Sequence, residues 1–309
     1  MHERLPILLC FDVEPDDKLI VGEADWAGVT SLVNLLTEYR PRFEEATGTT
    51  CRFSWFLRMD PQVRELTGRS DWVATAFDRE LELIEHAEDD IGLHVHPWRR
   101  AAQGWISDFG DPTWVDQCVC SSFEAYQRIF EKSCRSFRFG DRWMDHRTMR
   151  LLADLGIYYD LTLEPEQKGF PVYPEIQHLF IGERPDFTGV PRQVYQPSLI
   201  DYRRPGWWGM GLTEFPISTA PEGTLYLSSD ATCTCANIDR LIADPTTTHI
   251  ALPARTDVAI RPDLRKNLVG ILEHLVTHPQ RHWLHFATAA EVSMAGIIGE
   301  QRFSGEVCA

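Results

Sequence analysis

One rhythm constrains this 309-residue chain more than anything else: short apolar runs of strand length alternate with longer stretches of helical periodicity. Residues 7–13 form the first apolar run, followed by Val29, Leu32, Val33, Leu35 and Leu36 at helix-compatible spacing. Residues 51–57 read as a second strand. Residues 71–87 read as an amphipathic helix with Trp72, Ala76, Leu81 and Ile84 on one face, and residues 90–96 as a third strand stopped by Pro97. The alternation continues with a helix at 115–130, a strand at 136–139, a helix at 146–155 closed by Gly156, and a strand at 157–163. It breaks over about 164–211, a Pro-, Gly-, Tyr- and Trp-rich stretch read as an insertion. It then resumes with strands at 212–218, 224–227 and 249–252, a helix at 262–276, a strand at 283–287 and a final helix from Thr288.

This alternation predicts an α/β fold with a parallel sheet and helices outside it, either a barrel or an open doubly wound sheet. An open dinucleotide-binding sheet calls for G-x-G-x-x-G after its first strand, and the sequence has none there. The first strand ends instead in carboxylates, and barrels carry their chemistry at the C-terminal ends of strands. The expected organisation is one barrel domain over residues 1–309, interrupted by the 164–211 insertion.

Thirty Lys+Arg stand against 46 Asp+Glu, a formal charge of −16, which argues against nonspecific attachment to nucleic acid or an anionic membrane. No apolar run reaches the roughly 18–20 residues of a membrane span, and the first apolar run is too short for a signal peptide, so the expectation is a cytoplasmic protein. The eight cysteines lack the C-x2-C spacing of structural zinc sites and read as free thiols.

Four motifs could carry chemistry. Asp12-Val13-Glu14 places two carboxylates on one face of an extended chain, where they repel unless a cation or a proton neutralises them. Such an acidic turn is about equally well read as solvated surface. His94-Val95-His96 places two imidazoles on one strand face, a spacing that lets both rings reach one metal. The segment from Phe137 to Trp143 joins Arg138, Asp141, Arg142 and Trp143 around a glycine turn; Arg138 there can clamp an oxyanion or position a carboxylate. A fourth group, Trp207 and Trp208 in a polar loop, can stack on a sugar ring or cover a barrel end. With Trp98, Asp141, Arg142 and Trp143, these two tryptophans are the expected substrate contacts.

In order, these motifs resemble the polysaccharide deacetylase family of the NodB-homology type. Residues 9–14 (LCFDVE) are similar to its first, aspartate-bearing motif, residues 91–96 (IGLHVH) to its histidine motif and residues 137–140 (FRFG) to its arginine motif. The helix and strand at 147–160, and the segments 212–218 and 286–291, follow in the family's order. The resemblance implies a distorted (β/α)7-type barrel and metal-dependent removal of an acyl group, usually acetate from an N-acetylated sugar. It implies Asp12 as catalytic base, His94 as a metal ligand and Arg138 as the residue orienting the carboxylates.

The sequence departs from the family pattern at three places. Val13 stands where the family has its ligand aspartate, leaving Glu14 or Asp16 to supply a carboxylate. Trp98 stands four residues after His94, where the second histidine belongs, so His96 takes that part. The late Leu-x-His motif falls near 250–254 without a histidine, and His249 lies just upstream. The resulting expectation is a divalent metal, zinc first, held by His94, His96 and an acid from Asp12 or Glu14. Whichever of Asp12 and Glu14 is not a ligand serves as base. The substrate is then a small molecule or glycan. A carbohydrate-binding protein without turnover and a metal-dependent hydrolase of a non-sugar C–N bond stand as the alternatives.

Overall fold

The protein is described by a computed structural model covering residues 4–17, 25–102, 104–169, 174–206 and 209–294. Eight strands form one parallel sheet: β1 (Leu5–Val13), β2 (Ser54–Arg58), β3 (Asp90–Val95), β4 (Ser136–Phe139), β5 (Tyr159–Asp160), β6 (Thr213–Glu214), β7 (Ile250–Arg255) and β8 (Leu284–Phe286). Their order across the sheet is β7-β1-β2-β3-β4-β5-β6, with β8 also paired to β1. The sheet curls until its edges meet. No ladder joins β6 to β7 among the described residues, but the Ser218 and Leu227 amides donate to the carbonyls of Ala251 and Pro253, each at 3.0 Å. At the opposite end, β8 wedges between the starts of β1 and β2: Leu5 pairs with Leu284, and the Arg52 amide donates to the Phe286 carbonyl. The result is the distorted α/β barrel that the alternation and the resemblance predict.

Alternation along the strands sorts side chains between two environments. On β1, Ile7, Leu9, Phe11 and Val13 face the helices and join the large outer core, while Leu8 and Cys10 face inward. Leu8 and Cys10 meet Phe56, Leu161, Phe215, Ile217 and Ala251 in a small apolar plug that fills the lower barrel. The next inward positions toward the C-terminal ends are polar: Asp12 and Glu14, Arg58, His94 and His96, Arg138, and Arg255. The plug keeps water out from below, so these groups share one low-dielectric mouth.

Helix starts explain why the elements fall where they do. Asp60, Asp111, Asp145 and Asp230 each accept backbone N–H groups at the first turn of a helix, and proline follows Asp60 and Asp111. The predicted 71–87 helix is two, Trp72–Ala76 and Asp78–His86, because the backbone leaves helical geometry at Phe77. A further helix, Ala231–Ala243, fills a stretch where no element is predicted. Residues 224–227 do not form a full strand; only Gly223–Thr224 pairs, in a two-residue hairpin with Thr219–Ala220. Within 164–211 the chain makes a 3-10 turn, Pro174–Leu179, and a short strand, Phe180–Ile181. That strand pairs with Gly104–Asp108, which in turn pairs with Trp98–Ala101. All seven described cysteines are free thiols, and none of the described helices is long and apolar enough to cross a membrane.

Candidate active site

A cavity of about 400 Å³ opens at the C-terminal mouth of the barrel, lined by Asp12, Glu14, His94, His96, Arg138, Asp141, Arg142, Tyr226, Arg255, Asp257 and Arg261 among others. Four of its residues were expected to hold a metal, and the structure divides them into two groups.

The first group is Glu14, His94 and His96, whose ligand atoms lie within 4.8 Å of one another. His94 and His96 sit two apart on the strand and turn their Nε2 atoms toward each other at 3.0 Å, and Glu14 Oε2 lies 3.4 Å from His96 Nε2. Each ring is fixed from behind. His94 Nδ1 lies 2.8 Å from the Arg138 carbonyl, which can only accept, so Nδ1 carries the proton and Nε2 offers a lone pair. His96 Nδ1 stands 2.8 Å from the Asp141 carboxylate, which imposes the same tautomer. Two lone pairs and a carboxylate oxygen aimed at one point repel unless a proton or a metal ion lies between them. Two imidazoles and a carboxylate, with the rings oriented by a carbonyl and a second carboxylate, are the donor set and outer support that zinc-type ions take. The residues present therefore fit a metal.

Electrostatics support the same division. Burial pushes the Glu14 carboxyl up, but Arg255 and the two imidazoles outweigh it and hold Glu14 well below the usual carboxylate range. Arg255 Nη1 is 2.9 Å from Glu14 Oε1, leaving Oε2 to face the histidines. Burial lowers the His94 pKa to about 4, so its ring is neutral at pH 7. Burial alone would lower His96 too, but Asp141 reverses the direction and raises it.

The second group is Asp12 and Arg138. Arg138 Nε bonds both Asp12 oxygens, at 3.0 and 3.2 Å, and its Nη1 donates to the Leu161 carbonyl at 2.7 Å. Asp12 Oδ1 lies 3.6 Å from His94 Nδ1, on the edge of the ring turned away from the three-ligand cluster. Asp12 is thus an oriented, buried carboxylate standing beside the ligand set, and Glu14 is the acid that faces the histidines.

The turn after β4 makes this possible. Asp141 and Arg142 both have φ of +54°, a backbone state that costs most L-residues about 1–2 kcal/mol. The turn carries Asp141 to His96 and Arg142 to Glu164, whose carboxylate also accepts from the hydroxyls of Thr224 (2.6 Å) and Tyr226 (2.7 Å). Gly140 has no room for a side chain, since a Cβ there would lie 2.2 Å from the His96 ring.

Of the expected substrate contacts, Arg142 lines the cavity, and Asp141 reaches it chiefly as the partner of His96. Trp98 and Trp143 do not line it. Trp98 is buried against Phe180, with ring centroids 5.5 Å apart, and Trp143 stacks on Phe109 at 5.1 Å, so packing consumes both indoles. Trp207 and Trp208 lie outside the described residues. His249 is buried with Nε2 2.8 Å from the Pro216 carbonyl and does not line the cavity. The inward position on β7 nearest the mouth is Arg255. Arg255 and Asp257, which pair at 3.1 Å, and Arg261, 2.6 Å from Asp257, were not anticipated. The signal for Arg255 is its register, two residues beyond inward-facing Pro253.

No family model matches the sequence, and no curated protein matches it. Solved structures do share the fold. One assigned as a polysaccharide deacetylase, from Mycobacterium smegmatis, aligns over 96% of this chain and 92% of its own at TM-score 0.56 and 13% identity. Another, assigned as a glycoside hydrolase/deacetylase from Parabacteroides distasonis, aligns over 97% and 72% at TM-score 0.60 and 10% identity. An allantoinase, Puue, aligns over 98% and 93% at TM-score 0.57 and 9% identity. The chain has the fold of the polysaccharide deacetylases.

Proposed function

We propose that this chain is a divergent polysaccharide deacetylase-type enzyme, a metal-dependent hydrolase that removes an acyl group, acetate first, from the nitrogen of a sugar or sugar-containing small molecule. The single observation carrying this reading is the convergence of Glu14, His94 and His96 beside the Arg138-held Asp12 in one barrel mouth. A cavity of about 400 Å³ suits a ligand of one or two rings rather than a broad polymer groove.

Glu14 Oε2 and the two Nε2 atoms would hold a divalent ion, zinc by donor type. Bound there, the ion supplies Lewis acidity toward the acyl carbonyl and toward a water molecule. Asp12, oriented by Arg138, accepts the proton of the attacking water at a carboxylate oxygen. The Arg255 guanidinium faces the same cavity as a donor for charge that builds on the carbonyl oxygen. The leaving nitrogen needs a proton. Among the described lining residues the only histidines are His94 and His96, and the Tyr226 hydroxyl is committed to Glu164 with its pKa pushed far up, mainly by burial. Asp12, having taken the water proton, is the group that returns it.

A second reading, hydrolysis of a non-sugar C–N bond, has support in the allantoinase that shares the fold over nearly the whole chain. The test is metal content of tag-free wild type and of the His94→Ala/His96→Ala variant, followed by acetate release from N-acetylated monosaccharides and nucleotide sugars. The expected result is one equivalent lost in the variant together with activity. A His94→Ala protein that keeps metal and full turnover overturns the assignment, and turnover of cyclic ureides or other amides alone selects the second reading.

A further inference from the structure

At the far end of the helix that begins beside the cavity, a second set of metal-type donors converges. The helix Pro262–Thr277 starts next to Arg261 and ends in His274 and the capping residue His278, two imidazoles at i and i+4 on one face. Asp239, from the neighbouring helix Ala231–Ala243, reaches between them. Its Oδ1 lies 2.6 Å from His274 Nε2 and 3.2 Å from His278 Nε2, and the three ligand atoms lie within 4.8 Å of one another. The imidazole rings stand 5.4 Å apart at 72°, so both nitrogens point to one place instead of stacking.

We infer that Asp239, His274 and His278 form a second binding site, independent of the barrel mouth, for a borderline divalent metal ion such as zinc. Three features argue for it. The donors are two imidazoles and a carboxylate, which select zinc, nickel or copper over magnesium or calcium. Two of them are fixed on one helix, and the third comes from another, so the ion ties Ala231–Ala243 to Pro262–Thr277. Asp239 is half exposed, which leaves an open side for water as a fourth ligand.

The ring of His278 sets the affinity. The Gln280 amide donates to His278 Nδ1 at 3.1 Å, so the neutral ring keeps its proton on Nε2, facing Asp239. Binding through Nε2 moves that proton to Nδ1 and releases the Gln280 amide to water, with no net proton lost from the ring. The site at the barrel mouth has no such exchange to make, because its Nε2 atoms already carry lone pairs. The second site is therefore the weaker of the two.

The test is a zinc titration of tag-free full-length protein against a competing chromophoric chelator. Wild type is expected to take two equivalents, Asp239→Ala/His274→Ala one, and His94→Ala/His96→Ala one. In the His94→Ala/His96→Ala background, zinc is expected to raise Tm, and the rise should vanish when Asp239 and His274 are also replaced. Zinc uptake by the His94→Ala/His96→Ala variant that survives loss of Asp239 and His274, or no uptake by that variant at all, overturns the inference. The two assignments fail separately. A single equivalent that follows Asp239 and His274 removes the proposed catalytic metal and keeps the second site, whereas one that follows His94 and His96 does the reverse.

Discussion

His96 and Asp141 are joined by a 2.8 Å contact from Nδ1 to the carboxylate, and Asp141 reaches that position from a left-handed backbone state. The carboxylate fixes which nitrogen of His96 carries its proton and so turns the lone pair toward His94 and Glu14. Asp141→Asn isolates this effect, because asparagine tolerates the left-handed state and only the charge is lost. Metal affinity at the barrel mouth is expected to fall roughly 10–100-fold, the usual cost of losing such an orienting partner, with the fold intact. Competition against a chelator of known affinity measures it, and unchanged affinity would remove Asp141 from the site.

Gly140 is held to glycine by proximity rather than by φ, since a Cβ there would meet the His96 ring at 2.2 Å. Gly140→Ala must push the ring off its partners. The expected outcome is a loss of about 1–3 kcal/mol and a large drop in metal binding. Gly156→Ala is the control: its φ of +80° makes alanine strained, but nothing lies near the added methyl. It should cost about 1 kcal/mol with metal binding unchanged. Chemical denaturation with metal analysis on both variants separates ring displacement from backbone strain.

Asp12→Asn tests the base. Asparagine keeps an oxygen for the Arg138 Nε but cannot take a proton from water. Turnover on any substrate found should drop roughly 10²–10⁴-fold. Metal content should stay at the wild-type level, because Asp12 stands outside the Glu14, His94 and His96 cluster. A variant that loses its metal instead would make Asp12 a ligand.

The fold was legible because buried strands and amphipathic helices alternate cleanly, and because strand ends concentrate polar residues. Inward alternation likewise exposed Asp12 with Glu14 and His94 with His96. Other features depended on information that no linear pattern holds. The helix Ala231–Ala243 begins Ala-Thr-Cys-Thr-Cys, with little apolar periodicity at that end, and is set by its Asp230 cap and its packing on Pro262–Thr277. Trp98 and Trp143 read as substrate contacts from their places in the histidine and arginine motifs, yet Phe180 and Phe109 pack against them in three dimensions. The sharing of roles between Asp12 and Glu14 turned on Arg138 and Arg255, which lie more than a hundred residues from the acids they hold.

Asp160 and Glu214 are paired in register on adjacent strands, on the face opposite Leu161 and Phe215 of the plug, and are wholly buried. Asp160 also accepts from the Thr162 hydroxyl at 2.7 Å, and Glu214 from the Leu163 amide at 3.2 Å. Burial, then the neighbouring carboxylate, pushes Glu214 well above its ordinary range, so the pair shares a proton. For an acid with a raised folded pKa, the folded state binds more protons than the unfolded chain. Stability contributed by the pair is therefore full below about pH 4, where both states are protonated, and declines as pH rises toward the folded pKa. Glu214→Gln keeps an oxygen for the Leu163 amide and supplies a permanent donor to Asp160. The variant is expected to match wild type near pH 4 and to exceed it by a margin that widens toward pH 8, measured as unfolding free energy in urea. A constant loss at every pH would mean that the two carboxylates do not share a proton.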